Sequence, residues 1–154
     1  MLNRQRYQLT GDLMEFKVFF KELHLRTERR IQLLDITDKV ERIVEESGIE
    51  NGICLVFAPH ATAAIIANEH ERGLMEDIVE KLKEDYPRNG RWKHNMIDDN
   101  ASAHLASAFI GASRTFPVRG GRLIRGTWQH IMLVELDGPR YRRSVLIEVI
   151  GTAT

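Results

Sequence analysis

The run Gly52-Ile53-Cys54-Leu55-Val56-Phe57-Ala58 constrains the fold most, because no position in it is polar. A strand that offers water neither face belongs in the middle of a sheet, with neighbours on both sides. The rest of the chain must supply those neighbours. Phe16 to Leu25 alternates loosely through Phe16, Val18, Phe20, Leu23 and Leu25 and reads as a strand, with Arg30 to Ile36 expected as its antiparallel partner. Ala61 to Asn68 is a second β-like run beside the central one. Only Pro59 and His60 separate the two, too few for a parallel crossover, so they are expected as antiparallel neighbours or as one strand broken by a bulge. Arg114 to Arg119 and Arg122 to Ile124 flank Gly120-Gly121, a two-residue hairpin signal. His130 to Leu136 and Ser144 to Ile150 alternate and are joined through Asp137-Gly138-Pro139.

Helices punctuate the strands without alternating regularly with them. Thr37 is expected to cap a helix with Asp38 in its first turn and Val40, Ile43 and Val44 on one face. Leu74, Met75, Ile78, Val79 and Leu82 recur at helical spacing and predict an amphipathic helix from Gly73 to Asp85. Tyr86 to Asp99 is a long polar loop, and Asn100 is expected to cap a helix reaching about Ile110. The expected class is therefore α+β: a mostly antiparallel sheet or sandwich packed with two or three helices. At 154 residues and 43% hydrophobic, the chain suits one domain, read as 14–154 behind an N-terminal extension of residues 1–13.

Charge and cysteine content narrow the function classes. Lys+Arg and Asp+Glu each number 22, so no basic field draws in nucleic acid, and self-association meets little repulsion. The single cysteine, Cys54, excludes an intrachain disulfide and reads as a small core hydrophobe. No apolar run approaches the ~20 residues of a membrane span, and no signal-peptide pattern opens the chain. A cytoplasmic location is expected.

Three segments carry residues suited to chemistry. His60 ends the most apolar strand, followed by Thr62 and, further on, Asn68 and Glu69. It reads either as a site residue at the mouth of a hairpin or as a histidine bonded to the backbone at a turn. His94 lies in the long loop, and His104 stands four residues after Asn100 on the same helical face. No HExxH or CxxC spacing is present. A metal site would have to be assembled by the fold from His60, His94 and His104, three imidazoles with an open position as in catalytic zinc centres. The third segment runs from Arg119 through Gly120, Gly121 and Arg125 to Gly126-Thr127-Trp128-Gln129. Its glycines and arginines suit a phosphate, and Thr127 and Gln129 a ligand wall; a tight hairpin with solvated arginines and Trp128 as core is the plainer reading.

Taken in order, His60-Ala61-Thr62-Ala63-Ala64, Asn68-Glu69, His94, Asp99-Asn100-Ala101-Ser102-Ala103-His104, Ile110-Gly111-Ala112-Ser113, Pro117 to Leu123, Gly126-Thr127-Trp128-Gln129 and Asp137-Gly138-Pro139-Arg140 resemble the YjbQ-like family of secondary thiamine-phosphate synthases. The resemblance spans about Phe16 to Gly151. It departs where the family reads His-Thr-Ser-Ala, since Ala61 replaces the threonine and Thr62 supplies the only hydroxyl. The resemblance implies a compact α+β fold assembled as a homotrimer, clustered histidines, and a capacity to join the pyrimidine and thiazole halves of thiamine phosphate. On that reading His60, His94 and His104 hold a divalent ion, zinc by chemical type, with Asn68 and Glu69 beside them. Thr62, Arg119, Gly120, Gly121, Arg125, Thr127 and Gln129 then bind a small phosphorylated metabolite. A metal-dependent hydrolase, a metal- or metabolite-binding protein without turnover, and a structural oligomer are the competing expectations.

Overall fold

The computed structural model describes residues 5–9 and 12–154; the remaining residues of the expected extension lie outside the described set. Within that stretch, β1 (Gln5–Leu9) pairs antiparallel with the start of β2 (Asp12–Leu25), so the second strand begins four residues earlier than its hydrophobic pattern. The chain continues through β3 (Gln32–Asp35), α1 (Thr37–Ser47), β4 (Asn51–Phe57), β5 (Ala63–Asn68), α2 (Arg72–Asp85), a 3-10 turn at Lys93–Met96, α3 (Ala101–Ile110), β6 (Ser113–Arg119), β7 (Arg122–Leu123), β8 (His130–Glu135) and β9 (Arg143–Ala153).

These strands form two antiparallel sheets. The first has six strands in the order β1-β2-β9-β4-β6-β7; the second has three, β3-β8-β5. β4 is central to the first sheet, as its composition requires. Two expected pairings are overturned. β3 pairs with β8, not β2, and β5 also pairs with β8, not β4. The reason is common to both: the short connections after β2 and β4 cross from one sheet to the other instead of turning back within it.

Packing follows from strand periodicity. In β8, Ile131 and Leu133 face the first sheet, where they meet Cys54 and Val56 of β4, Val145, Ile147 and Val149 of β9, and Val40, Ile43 and Val44 of α1. Met132 and Val134 face the other way, into a second core with Leu33, Ala64, and Ala103 and Ala106 of α3. β8 is thus covered on both sides, and each of its central side chains contributes roughly 1.5–3 kcal/mol by burial. Cys54 is fully buried, which pushes its thiol up to about 12 and leaves it a packing residue.

Local chemistry sets the helix ends. Thr37 does not cap α1. Asp35 does that work by accepting from the Thr37 amide at 3.0 Å and its hydroxyl at 2.5 Å, while Thr37 Oγ1 accepts from the Ile131 amide at 2.9 Å. This ties α1 to β8. Gly48 closes α1 with φ 68°, a left-handed conformation that glycine takes without a Cβ clash. Glu71 caps α2, accepting from the amides of Gly73 and Leu74. Gly52 and Gly151 face each other across β4 and β9, and a Cβ on Gly52 would stand 1.9 Å from the Ile150 carbonyl oxygen.

Candidate functional site

The strand register gives the molecule two ends. At the upper end lie Phe57, Ala63, Glu135 and Arg143; at the lower end lie Asn51, Asn68, Arg119 and His130. β4 spans seven residues, so the ends are about 20 Å apart.

His60, Thr62, His94 and His104 belong to the upper end. The ring of His94, on the 3-10 turn, meets that of His104, on α3, edge to face with centroids 4.8 Å apart. The expected cap, Asn100, is put to another use: its side chain makes no cap bond. It donates from Nδ2 to Asp137 Oδ2 at 3.0 Å and lies 3.1 Å from His94 Nε2 through Oδ1. A carboxylate only accepts, so the Asn100 amide is oriented, and its oxygen in turn requires that His94 Nε2 carry a proton. In neutral His94 the lone pair is then on Nδ1. His104 is half-buried; its amide donates to the Asn100 carbonyl at 3.2 Å, but among the described residues its ring has no hydrogen-bond partner. Asp137 also holds Arg140 at 2.8 Å and Arg30 at 3.6 Å, and Arg88 holds Asp99 at 2.8 Å. The result is a chain of polar contacts from two guanidiniums through a carboxylate and an amide to a pair of imidazoles.

His60 is engaged differently. Its Nε2 accepts the Ser144 amide at 3.0 Å, beside the Ser144 carbonyl at 3.1 Å. Burial and the neighbouring Arg143 and Arg140 charges push its pKa below the ordinary value, against the raising effect of the Ser144 backbone bond. This is close to the turn-histidine reading. Among the described residues no three His, Cys, Asp or Glu side chains are grouped to hold a metal ion, so His60, His94 and His104 do not make a closed ligand set within one chain.

Beneath His60 is a network that sequence reasoning missed. Arg143, 5% exposed, donates from Nε to Glu135, 0% exposed, at 2.6 Å, and from Nη2 to the hydroxyl and carbonyl of Thr62 at 2.9 and 3.0 Å. Thr27 donates its hydroxyl to the other Glu135 oxygen at 3.0 Å. Complete burial pushes the Glu135 carboxyl up, and Arg143 and Thr27 oppose that shift. The available signal was phase: Glu135 falls in register with Ile131 and Leu133, and Arg143 with Val145 and Ile147, where only apolar residues are expected.

The other proposed site residues gather at the lower end or on loops there. Asn68 accepts the Glu69 amide with its own side chain and pairs across the sheet with His130. Glu69 and Thr127 are exposed. Gln129 accepts the Gly126 amide at 2.7 Å, closing the turn at whose tip Trp128 is 71% exposed, so Trp128 is not core. Arg125 donates to Glu41 at 2.7 Å and to the Gln129 carbonyl, and the Gly121 amide donates to the Glu50 carbonyl. Arg119 donates to the Val118 carbonyl, and Gly120 and Gly121 take the positive φ of a tight hairpin. The phosphate donors expected in this loop are therefore largely satisfied internally, and they stand at the far end from His94 and His104. Also missed was His130, whose Nδ1 donates to Asp35 Oδ2 at 2.8 Å with His70 beside it, ring centroids 5.5 Å apart. Burial opposes ionisation of Asp35, but its bonds from Thr37 and His130 outweigh it and hold the carboxyl below the usual range.

A family profile, "UPF0047 protein YjbQ-like", matches residues 21–152. The chain belongs to the UPF0047 YjbQ-like family. Among UPF0047 relatives, one from Methanothermobacter thermautotrophicus is 47% identical over 141 residues, covering 92% of this chain and 96% of its own. The UPF0047 protein YugU of Bacillus subtilis is 38% identical over 135 residues, covering 85% and 98%. Among crystal structures, a YbjQ-like protein of unknown function from Sulfolobus solfataricus P2 is 61% identical with a TM-score of 0.87, covering 88% of this chain and 99% of its own. A hypothetical protein from Aeropyrum pernix K1 is 50% identical with a TM-score of 0.83, covering 86% and 98%. The UPF0047 YjbQ-like fold is thus the α+β arrangement expected from the sequence. None of the described helices is long and apolar enough to cross a membrane.

Proposed function

We propose that this UPF0047 protein is a cytoplasmic small-molecule enzyme acting on a phosphorylated metabolite at the upper cluster, with His94 and His104 as its working groups. The observation that carries the reading is the Asp137–Asn100–His94 relay beside a half-buried His104 whose ring has no hydrogen-bond partner among the described residues. Such an arrangement fixes one imidazole's tautomer and leaves a second free for a ligand. In thiamine-phosphate formation the thiazole ring nitrogen attacks the pyrimidine methylene, and pyrophosphate departs with the bonding electron pair. That step needs positive charge and hydrogen-bond donors on the leaving oxygens more than a strong base. Arg30 and Arg140, both paired with Asp137, and Arg88, paired with Asp99, lie along this relay and in this reading turn to the leaving oxygens.

The lower-end residues Asn68, Glu69, Arg119, Gly120, Gly121, Arg125, Thr127 and Gln129 join the site in this reading only from a neighbouring copy. A homotrimer with head-to-tail contacts sets the lower end of one subunit against the upper end of the next. The outer face of the first sheet supports assembly, since Phe20 is 56% and Ile53 44% exposed there.

The test is product formation from the pyrimidine pyrophosphate and thiazole phosphate, with elemental analysis of the same preparation. Product that falls about 100-fold or more in His94→Ala and His104→Ala, with folding intact, supports catalysis. A bound divalent ion such as zinc without product favours the second reading, a metal- or metabolite-binding protein, for which the close approach of two imidazoles is the favouring observation. Hydrolysis of the phosphorylated precursor alone points to a hydrolase.

A further inference from the structure

A groove of about 1100 Å³ lies between α2 and the edge of the second sheet. Its floor is apolar and small, made by Leu33, Ala103, Ala106 and Leu136. The facing wall is the apolar stripe of α2, Met75, Val79 and Leu82, ending at Tyr86. No residue of α2 is buried; its apolar stripe packs against this core but is only partly covered by it. From Met75 to Tyr86 the wall runs about 17 Å at the helical rise of ~1.5 Å per residue.

The rim is not neutral. Arg29, Arg30, Lys83 and Arg88 border the end toward Tyr86, and Arg72 and His70 the other. Lys83 is shared with Glu80, Arg72 with Glu76, Arg88 with Asp99 and Arg30 with Asp137. Arg29 has no side-chain partner among the described residues. An elongated apolar trough lined at its rim by an uncommitted guanidinium matches a molecule with a long apolar tail and an anionic head.

We propose that this groove binds a free, single-chain amphipathic anion of the fatty-acid class, tail along α2 and carboxylate at Arg29. Neither His94 nor His104 lines the groove, although Arg30 and Arg88 lie at its rim, and binding is read without turnover, so failure of one proposal leaves the other standing. Titration calorimetry of the full chain with dodecanoate, below its micellar concentration, is expected to give saturable one-site binding. Octanoate, four methylenes shorter, binds on the order of 100-fold more weakly if the tail lies in the trough. Arg29→Glu, an exposed change, weakens dodecanoate at least about 10-fold, and Val79→Glu abolishes its binding with circular dichroism unchanged. Dodecyltrimethylammonium binding as well as dodecanoate would overturn the proposal, as would the absence of saturable binding. So would a concentration-dependent mass increase in sedimentation that Val79→Glu removes, since a second copy then covers the groove.

Discussion

Replacing Arg143 by methionine tests the buried network directly. The guanidinium is the partner of a carboxylate with no exposed surface, and it also serves two oxygens of Thr62. Its removal leaves Glu135 charged, or forces it to take up a proton, and strips the Thr62 carbonyl of one donor. Loss of one member of a buried pair costs about 3–5 kcal/mol. A domain of this size has about 5–15 kcal/mol in all, so the variant should unfold at markedly lower urea. Glu135→Leu combined with Arg143→Met removes both charges, and the pair of changes should cost less than Arg143→Met alone. Lowering the pH separates the terms further. In Arg143→Met the carboxyl, already pushed up by burial, loses its opposing cation; its folded pKa then stands above the unfolded one. The deficit relative to the native protein is therefore largest at neutral pH and shrinks as acid protonates Glu135. Urea titrations of the three proteins at neutral and mildly acidic pH provide the measurement. A single variant as stable as the double one, or a deficit that grows in acid, refutes the reasoning.

Three further expectations concern the scaffold. Leu133→Ala, between the sheets at 0% exposure, should lose about 2–5 kcal/mol in urea denaturation. Gly52→Ala places a methyl 1.9 Å from the Ile150 oxygen and should destabilise by at least about 1–3 kcal/mol, whereas alanine at the open Gly120 meets no atom and is opposed only by its φ of 58°. His60, held neutral, makes stability fall as pH drops through the ordinary histidine range. There the unfolded chain takes up a proton that the folded one resists, and His60→Gln should flatten that slope in thermal melts at successive pH values.

The elements were legible where pattern alone decides them. The burial of β4, the Gly120-Gly121 hairpin and the apolar stripe of α2 all follow from spacing. Sheet membership was not, because alternation reports which side of a strand is covered and not by what. Pro59-His60 looked like a tight connection within one sheet, yet residues 58–62 carry the chain to the other. Asn100 shows the same limit at the site. Its position before α3 was readable, but its side chain is drawn to Asp137, thirty-seven residues away, and then to His94. Three histidines were expected together, but only His94 and His104 meet; the commitment of His60 to Ser144 and the placing of the glycine-arginine loop at the opposite end depend on register across sheets.

The shallow seating of α2 has a consequence for how the molecule breathes. With no buried residue, the helix is held by half-covered side chains and its Glu71 cap, while β8 is clamped on both faces. Lifting α2 therefore requires far less free energy than separating the sheets. Its amides should trade hydrogen for deuterium through partial openings that leave β4, β8 and β9 protected, so that a solute can reach the floor formed by Ala103 and Ala106 while the rest of the protein stays folded.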